Sequence, residues 1–144
     1  MKAFLKNLGA LFLGVVVGAM VNSAIILLQP YIVPLPDGYD PNDLEQIKVA
    51  MKSFHWTHFM MPFFAHALGT LSGAYAAARL AASRPLVKAL GIAVVFLFGG
   101  IQMVQLLPSP MWFNVIDLGL AYIPMGYLGY LLAKWSEVHQ TIPE

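Results

Sequence analysis

The chain has 144 residues, 59% of them hydrophobic and only 10% charged, whereas a soluble domain carries about 25% charged residues; water is not its main solvent. Its net charge of +1, with basic residues scattered singly rather than clustered with aromatics, offers no general attraction for nucleic acid, which is set aside as a partner. The absence of cysteine excludes disulfides, thiolate metal sites, cysteine-ligated iron-sulfur clusters and dithiol redox chemistry.

Four charge-poor runs follow one another, over residues 8–29, 58–79, 86–107 and 110–133. Each is about 20 residues, the length that crosses about 30 Å of hydrocarbon at 1.5 Å per residue. The expected fold is all-α: a single polytopic membrane domain, an up-and-down four-helix transmembrane bundle with the lipid bilayer as its solvent. The first run follows Lys2 and Lys6, as a signal peptide would, but its apolar stretch continues through "AIILL" to Leu28 and is read as a retained span.

Residues 30–57 form the only sizeable loop. Its prolines and a Pro-Asp-Gly turn predict irregular chain over 30–41, after which Asp40 is expected to cap a short helix that has Pro41 as its first residue. Leu44, Ile47, Met51 and Phe54 recur at helical steps, an apolar stripe expected to lie on the outer face of the bundle or along the headgroups. The other connections, "AASRPL" and "LPSP", are short enough to make spans two, three and four antiparallel neighbours.

Basic residues set the orientation. Lys2, Lys6, Arg79, Arg84, Lys88 and Lys134 share one side, while Lys48 and Lys52 on the other are outnumbered by Asp37, Asp40, Asp43 and Glu45. Both termini are therefore expected in the cytoplasm, with Tyr31, Trp56 and Trp112 at the outer interface and Trp135 at the inner one. Ala10, Gly14 and Gly18 in the first span, and Gly69, Gly73 and Ala77 in the second, recur every fourth residue and predict packing grooves, between spans or between two copies of the chain.

Polar groups inside the spans fall at one depth. Counted inward from the outer ends, Asn22, His66, Gln102 and Asp117 all lie about 9 to 12 Å below the surface. Asp117 is the only acid within a span, and an unpaired carboxylate there is costly, so it is expected to bond His66 directly or through water, with Asn22 and Gln102 around the pair. Asn114, one turn outward of Asp117, would line a path to the outside, His55 and His58 its mouth, and Thr70 and Tyr122 its floor. The plainer reading is a structural network that fixes helix register at about 1 kcal/mol per bond.

The residues name no cofactor. Bis-histidine haem needs histidines on facing helices, but His55, His58 and His66 belong to one helix or its approach and His139 lies beyond the inner end. His58 and His66 are about 12 Å and about 80° apart on an unbroken helix, too far to share a metal ion, although Pro62 between them could alter that spacing; no metal site is assigned.

The segments "FMMPFFAHALGTLSGA" and "PSPMWFNVIDLGLAYIPMGYLGY" resemble those of uncharacterised small four-span bacterial inner-membrane proteins. The resemblance implies a bacterial inner (cytoplasmic) membrane and the four-span fold, and no activity or ligand. Three functions then fit the polar layer. The first is an accessory subunit of a larger membrane complex or a small-ligand binding protein, with the pocket opening to the outer side. The second is a small proton-coupled carrier working as a homodimer, and the third a membrane enzyme or redox protein using quinone, lipid or metal at the same pocket.

Overall fold

The computed structural model describes residues 1–40 and 42–140, and among these every regular element is a helix. Six α-helices follow in order: α1 Lys2–Ile32, α2 Leu44–Ala50, α3 Met60–Leu80, α4 Pro85–Leu106, α5 Met111–Leu120 and α6 Ile123–Gln140. Three stretches are long and apolar enough to cross a membrane: α1, α4 and the α5–α6 segment Met111–His139. α3 is equally long but carries His66, Thr70, Ser72 and many small residues, and it is the helix the others surround.

α3 occupies the centre because small side chains let its neighbours come close. Ala65, Ala67, Gly69, Thr70, Gly73, Ala74, Ala77 and Ala78 are all buried. Against α1 the approach is glycine on glycine: a Cβ placed on Gly73 would lie 2.5 Å from the Gly14 carbonyl oxygen, and one on Gly18 2.7 Å from the Gly69 oxygen. Hydrocarbon-soluble helices gain little from hiding apolar area, so this backbone proximity and its dispersion contacts hold them together. The Ala10–Gly14–Gly18 groove is thus filled by α3 of the same chain. Gly129 of α6 meets the Leu71 carbonyl, and Gly126 meets Ala93 of α4, by the same device.

At one end, Asn7 of α1 accepts from the N–H groups of Ala82 and Ser83 at 2.9 and 3.3 Å and donates to Ser83 Oγ at 3.0 Å, bracing the α3–α4 turn. That turn is tight: Arg84 takes left-handed φ and ψ of 49° and 59°, and the following Pro85 disfavours the right-handed helical region for it. Arg79 pairs with Glu137 of α6 at 3.1 Å at the same end. This is the basic end; the opposite one, closed by residues 33–40 and 42–59, is the loop end.

The loop departs from the sequence reading. Pro41 lies outside the described residues, and α2 starts at Leu44 with Asp43, not Asp40, as its cap. Asp43 Oδ1 accepts from the N–H groups of Glu45 and Gln46 at 2.9 and 3.2 Å, and Asp43 Oδ2 accepts from the Gln46 amide at 2.9 Å. The Gln46 N–H and then its amide, followed by the Glu45 N–H, hold the Asp43 carboxyl below its ordinary range. Asp40 instead bonds Asn42 and Gln46. A cap needs an acceptor just before the first free N–H groups, and only Asp43 stands there.

The fourth apolar run is broken. α5 ends at Leu120, Ala121 and Tyr122 form a turn, and α6 begins at Ile123. Pro124 explains the site of the break, since it lacks an N–H and its ring would strike the Leu120 carbonyl of a continuous helix. In the first turn of α6 the same residue does no harm.

Candidate functional site

Asp117 projects from α5 toward α3, where His66 meets it. His66 Nδ1 lies 2.9 Å from both carboxylate oxygens. Tyr122 donates its hydroxyl to Asp117 Oδ2 at 3.1 Å, and its ring lies 5.7 Å from the imidazole at 30°. Asp117 and Tyr122 are each 2% exposed, so the carboxylate is out of solvent and held by donors on two sides. A carboxylate only accepts, so Nδ1 donates, and in the neutral imidazole that leaves Nε2 as the acceptor. Nε2 is then the free ring nitrogen: no described residue bonds it, and the His66 side chain keeps 21% of its surface exposed.

Gly100 of α4 makes room for this arrangement. A Cβ there would collide with the Tyr122 hydroxyl and ring, so only glycine lets the phenol sit against the α4 backbone. Below it, Tyr122 packs with Ala67 and Ala121, closing the site toward the basic end.

Above the pair opens a cavity of about 660 Å³ that runs to the loop end. His66 and Asp117 stand on its wall with Asn22 of α1, which lies against Gly69, and with Gly100 of α4. Its roof includes Leu35, Ile47, Met51 and Phe54, so three of the four residues in the loop's apolar stripe face the cavity, while Leu44 is 41% exposed. His58 lies at the loop end, stacked on Phe54 with centroids 4.5 Å apart, and its backbone carbonyl accepts from the Gln29 amide at 3.3 Å.

Not every expected residue joins. Gln102 is exposed and lines no part of the cavity. Its depth matches, but two residues beyond Gly100 put it about 200° round the helix, on the far face. Asn114 also stands off the wall: it accepts the Ser109 hydroxyl at 2.6 Å and donates to the Ser109 carbonyl at 3.4 Å, fastening the α4–α5 turn. Thr70, one turn below His66, is wholly buried, off the cavity, and its hydroxyl has no partner among the described residues. His55 is exposed beside Trp56 rather than at the mouth, with its ring near Thr57 and its N–H 3.2 Å from His58 Nδ1. His58 itself sits in a short 3-10 turn, Trp56–Phe59, that precedes α3, so the unbroken helix assumed between His58 and His66 is absent. Among the described residues no three of His, Asp or Glu gather around a point that could hold a metal ion.

Sequence reading missed Gly100, Ser109 and the roof. "FGGIQ" at 98–102 held a signal for the first, since paired glycines inside a spanning helix mark close approach of another group. Chemically, Asp117 fixes the imidazole's tautomer and direction and strengthens Nε2 as an acceptor. The site can therefore hold a hydroxyl, amide or other donor at Nε2, or take a proton from it. Ser109 is the one hydroxyl of a serine on the wall, and it is engaged by Asn114.

The chain matches no protein-family model, no curated protein and no solved structure.

Proposed function

We propose that the protein is a small-ligand binding protein of the membrane, with α3 as a fourth crossing and the cavity as its binding site. The carrying observation is that a space of about 660 Å³ ends on an oriented Asp117–His66 pair whose Nε2 is unengaged. Pockets for small molecules have volumes of about 300 to 1,000 Å³ with few polar groups on apolar walls. α3 is too polar to face lipid all round, and it need not, since α1, α4 and α6 surround it. By the distribution of Lys and Arg the basic end lies in the cytoplasm and the cavity opens outward; the resemblance in the two quoted segments favours a bacterial inner membrane.

A carrier would need a way past the pair to the basic end. Buried Tyr122 and the alanines around Ile92 occupy that route, and the glycine groove that a dimer would use is taken by α3. Both facts favour binding over passage.

Native mass spectrometry of protein released gently from its own membrane tests the reading. A retained non-protein mass that is lost in His66→Ala and kept in Gln102→Leu is the expected result. A retained mass indifferent to His66→Ala, or a partner chain in its place, would move the function to the accessory-subunit reading.

A further inference from the structure

The walls of the cavity narrow the class of ligand, given that it is a ligand site. Between α1 and α4 the contacts climb from Leu11 beside Gly91, through Gly14 beside Ile92, to Gly18 beside Phe96. One turn further on the cavity begins, with Asn22 on one helix and Gly100 on the other. Beyond that level Ile26 and Leu27 of α1 and Met103 and Val104 of α4 line the same space. Leu27 is 70% exposed, Met103 39% and Ile26 36%, so these side chains border both the cavity and the surroundings of the bundle. A lateral way in therefore lies between the loop-end halves of the two helices, where the lining side chains are also exposed.

The polar end has a definite character too. Among the described residues no Lys or Arg lines the cavity, so none of them would offset the cost of bringing an anionic head out of water. Asp117 is the only carboxylate on the wall among the described residues; both its oxygens lie 2.9 Å from His66 Nδ1, Oδ2 also accepts from Tyr122, and its side chain is 3% exposed. His66 and Asn22 stand on the wall beside it; in the neutral imidazole the unengaged Nε2 accepts, and the Asn22 amide both accepts and donates. These suit an uncharged hydroxyl.

We infer that the ligand is a single-chain amphiphile with an uncharged hydroxyl-bearing head, which enters from the bilayer between α1 and α4. Its head bonds His66 Nε2 and Asn22. Its tail lies along Ile26, Met103 and Val104 and leaves by that lateral way. Because the tail never has to leave hydrocarbon, the site pays only for ordering it, and the head supplies selectivity.

The test uses the full chain in nanodiscs of zwitterionic phospholipid and a long-chain alcohol bearing a diazirine on its chain, with crosslinks mapped by mass spectrometry. Unlabelled dodecanol, 2-tridecanone, dodecanoate and dodecyltrimethylammonium compete in turn. Crosslinks should concentrate on residues 22–27 and 100–107, and the alcohol should compete about tenfold better than the ketone, which cannot donate to Nε2, and than either charged probe. Val104→Trp, which obstructs the way in, and His66→Ala should each cut labelling about tenfold. Equal competition by all four heads, or labelling that spreads to Phe12 and Val16 and ignores Val104→Trp, overturns the proposal.

A parallel measurement separates this proposal from the binding reading beneath it. Should no amphiphile label the cavity while Val104→Cys reacts with a small water-soluble thiosulfonate and a retained ligand blocks that reaction, the ligand class falls and the binding site stands. Should Val104→Cys stay unreactive and the released protein carry no extra mass, both fall.

Discussion

Tyr122 lies five residues after Asp117 and still donates its hydroxyl to Asp117 Oδ2 at 3.1 Å. On a continuous helix, side chains five apart point about 140° away from each other. The turn at Ala121 and Tyr122 removes that angle, and Pro124 ties the turn to its place. A proline that would be a fault in a straight span thus supplies the carboxylate with its second donor.

The dependence can be measured. Tyr122→Phe should destabilise the protein by about 1.5 to 3 kcal/mol, as loss of one hydrogen bond to a buried charged acceptor does. With Pro124→Ala already present, the helix can run on, and the same Tyr122→Phe change should cost less than about 0.5 kcal/mol. Reversible unfolding in mixed micelles, followed by circular dichroism, gives all three differences; equal costs in both backgrounds would show that the break does not position the phenol.

His66→Ala and Asp117→Asn should couple. Each leaves the other side chain without its partner in a buried site, so the double variant should be less damaged than the sum of the two by about 1 to 3 kcal/mol. Additive effects in the same unfolding assay would mean that the pair contributes nothing as a pair.

Asn22 and Gln102 provide a matched comparison, since they share a depth and differ in direction. Asn22→Leu should reduce ligand retention about tenfold, the effect of one lost hydrogen bond. Gln102→Leu should leave retention unchanged and should raise stability slightly by removing an exposed amide from an apolar helix. The reverse order would place the polar wall on the wrong face of α4.

Gly73 and Gly9 test the packing of α1 on α3. A Cβ on Gly73 meets the Gly14 carbonyl oxygen at 2.5 Å, whereas one on Gly9 meets nothing within 4 Å. Gly73→Ala should destabilise by about 1 to 3 kcal/mol through forced separation of the helices, and Gly9→Ala should be neutral or stabilising because alanine is the better helix former. Similar behaviour of the two variants in thermal unfolding would argue against the close approach.

The cap of α2 gives the roof of the cavity a pH dependence. Hydrogen bonds from Gln46 and Glu45 favour the charged form of Asp43 and depress its pKa in the folded state. The group therefore binds protons more readily when unfolded, and its stabilisation is complete above the unfolded value of about 4. It is lost as pH falls through the lower folded value. Protection factors over residues 44–50, which divide out the intrinsic pH dependence of amide exchange, should fall in that acid window in the wild type and be low already at neutral pH in Asp43→Ala; pH-independent protection in the wild type would remove Asp43 as the cap.

Much of this protein is legible in one dimension. Apolar run length marks the long helices, and counting residues from the run ends puts His66 and Asp117 at one level, because depth along a helix grows linearly at about 1.5 Å per residue. A buried carboxylate needs a donor, so depth alone brings that pair together. Direction round the helix axis is another matter, for it depends on which neighbours the helix faces. Gln102 passes the depth count and turns away, while Gly100, which carries no polar group, ends up beside Tyr122. Asn114 finds Ser109 in the α4–α5 turn above it, and Ile47, Met51 and Phe54 find the cavity rather than an open surface. The sequence by itself determined which groups lie at which depth; the tertiary structure decided which of them face one another, since that requires the glycine contacts of α1 with α3, the break before Pro124 and the loop folded over the end, all set by residues far apart in the chain.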